Sequence, residues 1–92
     1  MYKLTDKETH NYNFGEYEEN ELKDLMAQAL QLALDDCEQP DDIADTIEAY
    51  EVETKDGYIS LYYFKGGIVA TQEWDYNDIA RIDIDNKKVT VF

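Results

Sequence analysis

The chain has one cysteine, one proline, one histidine and only eight lysines and arginines in 92 residues. Each scarcity closes off a class of function. A single thiol, Cys37, forms no internal disulfide, which points to a reducing compartment. The lone histidine, His10, has no Cys or second His to complete a metal site and reads as an exposed loop residue. Eight bases face twenty-two acids, a net charge of −14. Nucleic acids and anionic membranes are held by Lys and Arg that neutralise phosphates, so direct binding to either is not expected. No apolar run approaches the ~20 residues of a membrane span, and the opening MYKLTDKETHNYNF has no apolar signal core. A soluble, cytoplasmic protein is expected.

Catalytic motifs are missing as well. There is no GxSxG, Walker Gly-Lys-Ser/Thr, HExxH or CxxC. DDCEQPDDIAD lacks the central glycine of a calcium loop, and DIDNKK lacks its closing glutamate. Cys37 falls in an apolar periodic stretch and reads as a small core residue. With so many acids, any carboxylate pair can be proposed as catalytic, which leaves that signal nearly empty. The expectation is no enzyme, no cofactor and no metal.

What is present starts with Asn20–Cys37. Leu22, Leu25, Met26, Ala29, Leu30, Ala33, Leu34 and Cys37 recur at gaps of three and four, the apolar stripe of a helix. No Gly, Pro or β-branched residue interrupts it. Asn20 is the expected N-cap, and residues 20–38 the main helix. Pro40 ends that helix and opens a short helical turn over 40–46. From residue 47 the period changes towards two. Asp56-Gly57, Gly66-Gly67 and Asp85–Lys88 mark turns between strands, so 47–92 reads as an antiparallel meander. Residues 1–19 read as short strands or loop, with Tyr12, Phe14 and Tyr17 covering the open end of the core. The expected fold is α+β in a single domain, residues 1–92: one amphipathic helix packed on an antiparallel sheet of four to six strands.

Charge gives the functional expectation. Between Lys23 and Lys55 there is no base, and ten acids fill the interval: Asp24, Asp35, Asp36, Glu38, Asp41, Asp42, Asp45, Glu48, Glu51 and Glu53. Charge of one sign at this density repels itself and costs stability. Acids three or four apart on a helix stand about 5–6 Å apart at Cβ. Duplex DNA shows a phosphate about every 1.7 Å of axis, counting both strands. A fixed carboxylate face therefore imitates a phosphate backbone towards a groove lined with Lys and Arg. The expected contact is Asp35, Asp36, Glu38, Asp41, Asp42, Asp45 and Glu48. Tyr50, Tyr58 and Tyr62 are expected beside it, because tyrosine next to carboxylate suits Arg.

In size, charge and missing catalytic motifs, the chain looks like the small acidic inhibitors that phages and mobile elements carry against restriction or CRISPR nucleases. No family motif aligns with these residues, so no site transfers. The likeness implies an anti-restriction or anti-CRISPR role in the host cytoplasm, against a basic nucleic-acid-binding protein such as a nuclease or its complex. A different class stays open. Tyr58, Tyr62 and Phe64 share one strand face, which suits a structural or assembly protein that docks or forms a homodimer there. An immunity-type partner of a basic toxin is the third alternative.

Overall fold

The computed structural model describes residues 1–10 and 14–92. Tyr12 lies outside the described residues. The order is β1 (Tyr2–Asp6), β2 (Glu16–Tyr17), α1 (Leu22–Asp36), α2 (Ile43–Glu48), β3 (Tyr50–Thr54), β4 (Gly57–Phe64), β5 (Gly67–Gln72), β6 (Asp78–Asp83) and β7 (Lys88–Val91). The α+β class holds. Among the described residues the sheet has seven strands rather than four to six, in the order β2-β1-β3-β4-β5-β6-β7, with every neighbouring pair antiparallel. β3 to β7 are the meander. The hairpin β1–β2 adds in the plane of the sheet, because Leu4 pairs with Val52 across β1 and β3. β2 is two residues long, too short for alternation to reveal it.

The helix α1 touches β2 at one end of the sheet and β6 and β7 at the other. The sheet is therefore curled around it. Leu22, Leu25, Met26, Ala29, Leu30 and Ala33 are buried there. They meet Leu4, Val52, Ile59, Leu61, Ile68, Ala70, Ala80 and Ile82 from the inner sheet face, with Ile43 and Ile47 of α2 closing one side. Asn20 does not cap α1. It sits inside a 3-10 turn, Glu19–Glu21, whose entry is held by the Glu18 N–H donating to the Glu21 carboxylate at 2.8 Å. That reciprocal bond satisfies a helix-start donor in Asn20's place.

Leu34, expected on the buried face, is 42% exposed. At 100° per residue it stands about 110° from the centre of the stripe. Leu32, on the opposite margin, packs against the core instead. Trp74 has the alternation parity of Ile68 and Ala70, but it lies beyond the end of β5 against Gly57 and is half exposed. Val69 is buried on the outer sheet face, between its cross-strand neighbours Tyr62 and Arg81.

The turns set the hairpin ends. Lys65 and Gly66 both take positive φ (47° and 81°), which a two-residue loop of the twist-matching kind requires. Gly67 then opens β5. A Cβ there would stand 2.7 Å from the Arg81 Nε and 2.9 Å from the Ile82 carbonyl oxygen. The missing side chain lets the Arg81 guanidinium reach the Lys65 carbonyl at 2.7 Å and clamp the β4–β5 turn.

Candidate functional site

The helical layer concentrates the charge. Residues 18–48 hold eleven acids and one base, Lys23. The remaining residues are far closer to balance. Asp35, Asp36, Glu38, Asp41, Asp42, Asp45 and Glu48 are all exposed, so the structure brings seven expected contact residues to the helices and their connection. A gap of three puts Asp45 and Glu48 together on the outward side of α2, opposite the buried Ile43 and Ile47, and Asp41 lies in the 3-10 turn Pro40–Asp42 that precedes it. Among the described residues, no Lys or Arg lies within ion-pair distance of any of the seven.

Helix geometry makes part of this arrangement locally unfavourable. Asp35 and Asp36 occupy the last turn of α1, and Glu48 the last turn of α2, with no base in either turn. The C-terminal end of a helix is the negative end of its dipole, where carboxylates are disfavoured. Asp41, Asp42 and Asp45 sit in first turns, where the same dipole favours them. Asp35 accepts a hydrogen bond from the Gln31 amide at 2.8 Å, and Asp36 accepts one from the Tyr50 hydroxyl.

Tyr50 is thus not a surface contact. It is buried beneath the end of α1, with Phe14 edge-on at 5.4 Å between ring centroids. Burial first, then the bond to Asp36, holds its hydroxyl protonated well above the ordinary 10.0. Burial likewise raises Tyr2, with Glu19 contributing, and Tyr17, with Asp24 and Glu21 contributing. A raised folded-state value means that Tyr50's stabilisation is complete below about pH 10 and is lost as pH rises through the folded value. The Tyr50→Phe variant is expected to lose about 1 kcal/mol at pH 7 for the broken hydrogen bond. It should also destabilise less steeply than the wild type above about pH 10. Urea unfolding at neutral and alkaline pH reads both effects, and parallel pH slopes would exclude this role for Tyr50.

The tyrosines do not flank the acids. Tyr58 and Tyr62 lie on the outer sheet face, and the helices cover the inner one. Tyr58 is exposed; Tyr62 is half buried, tilted against Phe64 at 6.5 Å and near Asp78 at 3.4 Å. The tyrosine that does belong to the acidic side is Tyr63, 39% exposed where β4 runs past the end of α1. With Leu34, Cys37, Ile43 and Ile84 it lines an open groove of about 250 Å³. Asp85 also lines it, and the Cys37 thiol donates to the Gln39 carbonyl. Two signals in the sequence point to this groove: the marginal angle of Leu34 on its helix, and three consecutive aromatics ending β4.

No family model matches the chain, and no curated protein and no solved structure is significantly similar to it. Its chemistry rests on its own residues. Among the described residues, no three His, Cys, Asp or Glu side chains are grouped as a metal site would need. The carboxylate of Asp83 is already engaged. It accepts from the backbone and side-chain amides of Asn86 and from the Asp85 backbone amide, which holds it below the usual carboxylate range. Among the described residues, no helix is long and apolar enough to cross a membrane.

Proposed function

We propose that the protein is a small non-catalytic binding protein whose helical layer imitates nucleic-acid charge and occupies the DNA- or RNA-binding site of a basic protein. The anti-restriction or anti-CRISPR inhibitors of phages and mobile elements are the class it fits. One observation carries this function: seven exposed carboxylates on α1, α2 and their connection, free of Lys or Arg partners among the described residues and in part set against the helix dipoles. Local rules are broken in natural proteins chiefly where function requires it. Rigid helices also hold the carboxylates in place before binding, which lowers the ordering cost.

A tagged copy used to capture partners from bacterial lysate at low and moderate salt tests this. The expected catch is a basic nucleic-acid enzyme, released by added DNA or RNA and by salt, because the contact is screened. Recovery of only the protein itself, or of an acidic partner that resists salt, defeats the mimicry. The second reading, an assembly protein, is favoured by the exposure of Tyr58 and Phe64 on the outer sheet face. It requires a mass that grows with concentration. An immunity-type partner of a basic toxin would use the same acidic surface, and the identity of the captured protein separates the two.

A further inference from the structure

The groove at the end of α1 is mostly apolar, with Asp85 the charged residue of its lining. Leu34 and Tyr63 are large, apolar and about two-fifths exposed, and Cys37, Ile43 and Ile84 form the floor between them. The connection between two of its lining residues, Cys37 and Ile43, carries the exposed carboxylates Glu38, Asp41 and Asp42. Its volume, about 250 Å³, falls below the roughly 300–1,000 Å³ of small-molecule sites. It suits a single large side chain. An apolar pocket that a partner's side chain fills and desolvates is the form that binding hot spots take.

We infer that this groove receives one apolar anchor residue, Phe or Leu, from a Lys/Arg-rich segment of the protein partner. Charge complementarity chooses the occupant. A second copy of this chain would bring fourteen further net negative charges with it. The inference rests on the function proposed above only in taking the partner to be basic. It adds what phosphate imitation lacks: a receptor for an apolar anchor, and therefore a source of affinity that salt does not screen.

Two short synthetic peptides of Lys, Arg and Gln test it on the whole protein, one with a single central Phe and the other with Ser in its place. Affinity is measured at low and moderate salt, along with the rate at which a maleimide alkylates Cys37. Expected is binding about ten- to a hundredfold tighter for the Phe peptide, a preference that persists as salt rises. The Phe peptide should slow alkylation of Cys37 and the Ser peptide should not. Leu34→Ser should abolish the preference while leaving Ser-peptide affinity unchanged. Tyr63→Ser is the second variant, and circular dichroism confirms that both fold. Equal binding of the two peptides, each weakened by salt, overturns the anchor and leaves charge mimicry standing. A Phe preference that survives both variants places the anchor elsewhere and also overturns the inference. Binding of neither peptide at low salt overturns both.

Discussion

Asp35→Asn, Glu38→Gln and Glu48→Gln, introduced together, are expected to strengthen the fold and weaken partner binding. Asp35 and Glu48 stand at helix C-termini without a compensating base. Neutralising each there is expected to stabilise by about 0.3–1 kcal/mol. For a domain this size, each 1 kcal/mol raises Tm by roughly 4–8 °C. The gain should be largest at low salt, where self-repulsion is least screened, and added salt should raise the wild-type Tm as well. The amide oxygen introduced by Asp35→Asn can still accept from Gln31, and Asp36, which Tyr50 needs, is untouched. Binding should move the other way. Three exposed carboxylates at about 0.5–1 kcal/mol each amount to roughly a ten- to hundredfold loss at low salt, with a flatter salt dependence. Opposite signs are the signature of charge maintained for recognition. A rise in Tm with partner affinity unchanged would assign these acids to solubility alone. A fall in Tm would show that they support the fold.

Much of this surface was legible because helices repeat. Eight apolar residues at gaps of three and four announced α1, and the acids between them had to face outward. The change of period after residue 47, with the turn residues near 56, 66 and 86, announced the meander. What stayed hidden depended on how elements meet in space. Alternation places Tyr62 and Tyr63 on opposite faces of β4, but only the packed structure shows which face the helices cover. The tyrosines expected beside the acids, Tyr58 and Tyr62, therefore lie on the far side of the sheet. Tyr50 alternates with Val52 on the core side of β3, but alternation does not show that it begins the strand directly under the end of α1, where Asp36 and Phe14 claim it. Leu34 fits the apolar spacing but falls at the rim of the stripe, past the curl of the sheet. The groove is the product of two residues, Leu34 and Tyr63, that periodicity assigns to the core and packing leaves at its margin.

Leu25→Ala and Leu34→Ala are expected to separate the two ends of α1. Leu25 is fully buried between the helix and the inner sheet face. Cutting it to alanine removes buried methyl groups and leaves a void that curled strands on both sides of the helix cannot fill. The cost is about 2–5 kcal/mol, a large part of the roughly 5–15 kcal/mol that holds such a domain together. That corresponds to a Tm drop of about 8–40 °C. Leu34 sits nine residues later in the same apolar pattern, but 42% of it is already in water. Its truncation should cost under about 1 kcal/mol, since little area is re-exposed and solvent fills the space. Denaturant unfolding reads both, with the slope unchanged in each because the surface exposed on unfolding is nearly the same. Comparable losses would mean that Leu34 is a core residue and the groove a shallow dimple in it. A large loss at Leu25 with a small one at Leu34 means that the helix spends its first turns on stability. Its last turn is then free to present apolar surface among carboxylates without endangering the fold.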